Sequence, residues 1–186
     1  MAWATCLASN LAATDRPESS LDTLREVERR AAQTLEWVSG KLGLVDEALD
    51  QLTLGRVALY RAILKDSSFE PACEVITAAV DHLRAASDMI YFSLLSRAWL
   101  RYMEGDPEGA QADLDESWYI AERGSMKLHM ADIHLHRVRL FRDHAALDAA
   151  AKLIEETGYH RRDGELADAR EALGSGSASS RSLTWR

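Results

Sequence analysis

The chain has 186 residues, of which 47% are apolar and 28% charged, and a net charge of −8. That composition is ordinary for one soluble domain with a substantial core. The acidic balance excludes a general nucleic-acid binder, because phosphate contacts need a basic surface.

With only 3 Pro and 10 Gly, long helices are expected. Trp3, Leu7 and Leu11 at i, i+4, i+8 predict a short helix over 2–13. Pro17 and Glu18 suit the first turn of the next helix, which the apolar positions Leu21, Leu24, Val27, Ala31, Leu35 and Val38 carry to 38. Gly40 and Gly43 bracket a break. Val45, Leu49, Leu52, Val57, Tyr60 and Ile63 predict a helix over 44–64, in which Gly55 weakens the helix unless close packing compensates. After the Asp66-Ser67-Ser68 turn, Ala72, Val75, Ile76, Ala79 and Leu83 mark a helix over 70–86.

The helix expected over 89–103 presents Ile90, Leu94, Ala98, Trp99 and Tyr102 on its apolar face, and Ser93, Arg97 and Arg101 as a polar stripe. Gly105-Asp106-Pro107-Glu108 is the tightest turn, followed by a helix over 109–123 with Ala110, Leu114, Trp118 and Ala121. Helices over 126–143 and 145–157 follow, then a short capping helix over 164–173. The Gly/Ser-rich tail, 174–186, has a composition that favours disorder. No segment alternates as a strand would.

The segments resemble one another. Small residues and a leucine-type residue recur one helical turn apart, as in Ser20/Leu24, Ala72/Ile76, Ala110/Leu114 and Ala149/Leu153. The leucine-type position falls at 24, 76, 114 and 153, in steps of 52, 38 and 39 residues. Such a period indicates stacked helical hairpins, here over roughly 2–38, 44–86, 89–124 and 126–157.

Ala98, Gly105-Asp106, Ala110 and Leu114 resemble the tetratricopeptide repeat signature, with Ser117 a departure from its last small residue. The steps exceed the family's roughly 34 residues, which implies longer helices or enlarged turns. The resemblance implies an all-α fold over 1–173, a right-handed superhelix of antiparallel hairpins, whose first helices line a concave groove. The runs AERGSMKLHMADIHLHRVRLFRD and GYHRRDGELADA are also similar to the C-terminal arrays of bacterial signal-transduction NTPases. No Walker A motif accompanies them, so the likeness implies a sensing array without a motor.

Chemistry is sparse. His129, Asp132 and His136 fall at i, i+3, i+7 on one helical face, a spacing that suits a metal. Arg137 and Arg139 beside them oppose a cation, so a solvated polar stripe is the expectation and a metal-dependent enzyme the least favoured alternative. There is no Glu-x-x-His pair for a di-iron bundle and no GxSxG elbow. Cys6 and Cys73 form neither a disulfide framework nor a CxxC knuckle. The N-terminal stretch lacks a basic region, and no apolar run approaches the roughly 18 residues of a membrane span. A cytoplasmic, non-catalytic protein without cofactor is therefore expected.

The expected first helices carry Arg56, Arg61, Arg97, Arg101, Arg137 and Arg139, and the second helices carry the carboxylates. Arginines along a groove favour an acidic peptide or a C-terminal carboxylate. Arg97, Arg101 and Arg56 are the expected polar anchors, with Tyr60 and Tyr102 as aromatic contacts. The competing expectation is that these arginines pair with acidic residues of the neighbouring helix. The expected function is protein or peptide binding, as an adaptor or the sensing part of a larger assembly. Self-association through the ends of the array is the alternative.

Overall fold

The computed structural model describes residues 17–39, 43–85 and 90–174. The helix expected over 2–13 and the Gly/Ser-rich tail lie outside the described residues. Within them there are eight α-helices and no strand: α1 (Pro17–Val38), α2 (Leu44–Lys65), α3 (Glu70–Ala85), α4 (Ile90–Met103), α5 (Pro107–Arg123), α6 (Lys127–Phe141), α7 (His144–Thr157) and α8 (Asp163–Gly174). A 3-10 turn, His160–Arg162, leads into α8. No described helix is long and apolar enough to cross a membrane.

The turns follow from a few residues. After α4, Gly105 adopts φ +86°, a left-handed conformation that favours glycine. Asp106 then caps α5 by accepting a hydrogen bond from the Gly109 amide at 2.8 Å, with Pro107 in the first helical turn. Because Asp106 is the cap, α5 begins two residues before the expected Gly109. A Cβ on Gly109 would fall 2.0 Å from the Asp106 carboxylate, so any other residue there would make the capping side chain shift. Asp143 caps α7 in the same way, accepting from the Ala146 amide at 3.0 Å. Asp66, Arg142 and Gly158 close α2, α6 and α7 in the left-handed conformation.

Packing is between chain neighbours. Helix α2 lies mainly on α3, α4 on α5 and α6 on α7, and each pair meets the next less extensively. The first helices also touch in sequence, α2 with α4 and α4 with α6. Helix α1 packs on α2, while α8 contacts both α6 and α7. The main core runs through Leu59, Ile76, Leu94, Ala98, Leu114 and Ile133, all essentially sealed from solvent. At roughly 25 cal/mol per Å², burying each large aliphatic side chain stabilises the fold by about 1.5–3 kcal/mol.

Gly55 explains the close crossing of α2 and α3. A Cβ there would lie 2.6 Å from Ile76 Cγ1 and 3.2 Å from the Ile76 backbone nitrogen. Helices α2 and α3 approach at this point because the side chain is missing. The repeat register holds in α1, α3 and α5, where Leu24, Ile76 and Leu114 are fully buried. In α7 it is shifted by one residue: Ala150 and Ile154 are buried, while Leu153 is only partly covered.

Candidate binding surface

The six arginines expected on first helices do sit on α2, α4 and α6. Five of them bond a carboxylate. Arg97 is 8% exposed and donates to Asp113 of α5 through Nε at 3.0 Å and Nη2 at 2.7 Å. Arg101 approaches the same carboxylate at 3.0 Å and donates to the Gly109 carbonyl at 3.1 Å. Both therefore tie α4 to α5. Arg61 pairs with Glu28 of α1, Arg137 with Asp115 of α5 at 2.9 Å, and Arg139 with Glu165 of α8 at 3.2 Å. Arg137 also lies 5.2 Å over the Trp118 ring.

Arg56 is the exception. Its Nε donates to Ser96 Oγ at 2.7 Å and its Nη2 to the Phe92 carbonyl at 3.2 Å, both on α4. Among the described residues it bonds no carboxylate. These two bonds use part of a guanidinium that has five N–H donors. One turn along α2, Tyr60 packs edge-on against Trp99 of α4, centroids 5.4 Å apart at 73°. Tyr102 stands apart from this pair, edge-on to Phe141 of α6 at 5.5 Å. The structure thus brings Arg56 and Tyr60 together, brings Arg97 and Arg101 together on Asp113, and leaves Tyr102 in the packing between α4 and α6.

The His129, Asp132 and His136 face is dispersed by its own contacts. His129 stacks against Tyr91 at 4.2 Å and Phe92 at 5.0 Å. Asp132 is buried and accepts a hydrogen bond from Arg162 Nε at 2.7 Å. His136 Nδ1 lies 2.9 Å from the Asp132 carbonyl oxygen. A carbonyl can only accept, so Nδ1 carries the proton and Nε2 of the neutral ring is an acceptor. Among the described residues no group of three metal-ligating side chains comes together.

Arg56, Tyr60 and His136 share one electrostatic environment. Burial holds the Arg56 guanidinium below its usual range and pushes the Tyr60 phenol up. It also drives His136 down to about 3, with the Arg139 charge adding to the effect. Arg56 and Tyr60 act on one another, and Arg139, Arg162 and Arg56 all act on His136. All three side chains nevertheless keep part of their surface open.

Arg162 binds both Asp132 and Glu165, and Arg139 binds the other oxygen of Glu165. Two guanidinium groups, Arg139 and Arg162, therefore meet two carboxylates. The contribution of Arg162 and Glu165 is not visible in helical spacing, since they arrive through the 3-10 turn and α8. No protein-family model, curated protein or solved structure matches the chain.

Proposed function

We propose that the chain is a non-catalytic, cytoplasmic helical-repeat module that binds a protein or peptide segment, as an adaptor or the sensing part of a larger assembly. In this reading the hairpins form a right-handed, tetratricopeptide-like superhelix. Its concave side is the face where α2, α4 and α6 meet, and an acidic segment of the partner lies along it. The observation that carries the reading is Arg56. Of six arginines on the first helices, five are already bonded to carboxylates within the chain, and Arg56 bonds only neutral oxygens beside the partly open Tyr60. A charged, partly covered guanidinium forms strong hydrogen bonds with an incoming carboxylate.

The reading moves the principal anchor from Arg97 and Arg101 to Arg56. The test is capture of partners on the full chain, compared with Arg56→Gln and Tyr60→Phe. Both variants are expected to lose the partner at unchanged helical content. Equal capture by all three proteins sinks the reading.

Self-association has one observation in its favour. Trp37 and Leu44, at the α1–α2 corner, are 61% and 59% exposed, unusual for large apolar residues. Sedimentation of the wild type against Trp37→Gln decides it: a dimer that the substitution dissolves supports self-association, and a monomer at all concentrations removes it.

A further inference from the structure

Arg56 is held by one edge only. Its Nε donates to Ser96 Oγ at 2.7 Å and its Nη2 to the Phe92 carbonyl at 3.2 Å. The Ser96 hydroxyl in turn donates to that carbonyl at 3.4 Å, which closes a ring of hydrogen bonds across the seam between α2 and α4. Nε and Nη2 form the side edge of the planar fork. The end edge, Nη1 with the second Nη2–H, makes no hydrogen bond among the described residues. Nη1 is not a sealed, unbonded atom either, so solvent reaches it. The open edge presents two near-parallel N–H bonds at the spacing of two carboxylate oxygens.

Arg97 uses its side edge differently: there Nε and Nη2 take the two oxygens of Asp113. At Arg56 the same edge meets neutral oxygens, and its charge stays uncompensated. The other arginines of α2 and α4, Arg61, Arg97 and Arg101, are all paired with carboxylates. One uncompensated cation matches a monoanion, whereas a phosphate dianion would leave an excess charge on a partly covered site. Tyr60, one turn along α2, crosses to Trp99, three residues beyond Ser96 on α4, so its ring lies along the same seam as the fork.

Resting on the binding-module reading above, we infer that Arg56 receives a single carboxylate of the partner end-on, through Nη1 and Nη2, and that Ser96 is the positioning residue that holds the fork for it. Ser96 touches no ligand in this arrangement. It is nearly sealed from solvent, and by occupying Nε it keeps the anion off the side edge. It also fixes the guanidinium plane before the ligand arrives, so little side-chain freedom is lost on binding. A lysine cannot replace the arginine, because an ammonium has no planar fork to divide between Ser96 and a ligand.

Titration of the full chain, followed by the NMR signals of the Arg56 guanidinium, tests this. N-acetylglutamate α-N-methylamide carries one side-chain carboxylate, N-acetylalanine one terminal carboxylate, and N-acetylglutamine α-N-methylamide none; inorganic phosphate is the remaining probe. Both acids are expected to shift the Nη signals and leave Nε–H in place. The neutral amide is expected to bind at least about tenfold more weakly. The tighter acid names the source of the carboxylate. Arg56→Lys, which keeps the charge, should weaken both acids by about tenfold. Ser96→Ala should weaken them severalfold and move the anion to the freed side edge, so that Nε–H now shifts. Loosened packing alone would not produce that shift.

A shift of Nε–H in the wild type overturns the end-on assignment. So does phosphate binding tighter than either acid, equal binding of acid and amide, or no binding of either acid. Unchanged affinity in Ser96→Ala removes Ser96 as the positioning residue, and unchanged affinity in Arg56→Lys shows that a bare charge suffices. The two readings fail separately. A partner lost on Arg56→Gln but captured equally by Arg56→Lys and Ser96→Ala leaves the module reading standing without this site. Acids that bind end-on while no partner is captured do the reverse.

Discussion

Arg97 meets Asp113 through two parallel hydrogen bonds, Nε to Oδ2 at 3.0 Å and Nη2 to Oδ1 at 2.7 Å, with both residues nearly sealed from solvent. The pair pins the first helix of the central hairpin to the second in a fixed register. Parallel two-point contact with a carboxylate is geometry that arginine supplies and lysine does not.

Removing one partner leaves a buried charge uncompensated. Asp113→Asn is expected to lower unfolding stability by about 3–5 kcal/mol, because it strands Arg97 and also removes the contact to Arg101. Arg101→Ala should lower it by no more than about 1 kcal/mol, since that side chain is one third exposed. Urea denaturation followed by circular dichroism measures both. Equal losses in the two variants would show that the buried pair is not what holds the hairpin.

The crossing of α2 and α3 makes a prediction of the opposite kind. Gly55→Ala improves intrinsic helix propensity by up to about 1 kcal/mol. The added Cβ would meet Ile76 Cγ1 at 2.6 Å and the Ile76 backbone at 3.2 Å, and backbone cannot step aside as a flexible side chain can. Overpacking should win, with a net loss of roughly 1–3 kcal/mol. Gly164→Ala is the control. Nothing lies within 4 Å of its Cβ position, so the same substitution should be neutral or mildly stabilising. A thermal melt in which both variants gain stability would mean that α2 and α3 separate more easily than the Ile76 contact implies.

These two sites show what was legible in the sequence. The helices were legible because apolar residues three and four apart define one face, and the turns because Gly105, Asp106 and Pro107 have few other uses. Gly55 was legible as a weakness in its helix, but its compensation by Ile76 lies in the next helix. The register of α7 was missed because AALDAAAKLI holds small residues at adjacent positions, so Ala149/Leu153 and Ala150/Ile154 fit the spacing equally well. The arginine stripe was legible, and so was the expectation that its members pair with carboxylates of packed helices, as five of the six do; the particular partners were not. Whether Arg97 meets Asp113 or a ligand depends on how α4 and α5 are aligned. The absence of a carboxylate at Arg56 depends on three helices at once. Arg162 gave no periodic signal, because it sits in a 3-10 turn.

Acid should weaken the fold through its histidines. Burial lowers the pKa of His129, His134 and His136, the last to about 3. These rings are neutral in the folded chain and protonate in the unfolded one near 6.5. The unfolded state therefore binds more protons below about 6.5, and stability falls as pH drops from there towards about 3. One such group contributes at most about 1.4 kcal/mol per pH unit. Asp132, which burial pushes up against the pull of Arg162, acts in the opposite sense. The comparison with His136→Gln cancels it. Melting temperature measured between neutral pH and moderate acid should fall less steeply in the variant, and parallel curves would mean that His136 is protonated in the folded protein too.

The junction of α6 with α8 yields the last prediction. Arg162 binds Asp132 of α6 and Glu165 of α8, and Arg142 of α6 donates to the Ala172 carbonyl at 2.9 Å. Leu166, Ala169 and Leu173 add an apolar seam, but it is short, and burial of three small and medium side chains is a modest force. Arg162→Leu leaves Asp132 and Glu165 buried with fewer cationic partners, a loss of roughly 3–5 kcal/mol. That loss should be local, because α8 touches only α6, α7 and the 3-10 turn extensively. Hydrogen exchange of the amides over 163–174 should accelerate by roughly a hundredfold to a few thousandfold, with those of α2 and α3 unchanged. A uniform loss of protection along the chain would mean instead that α8 and the hairpins unfold as one unit.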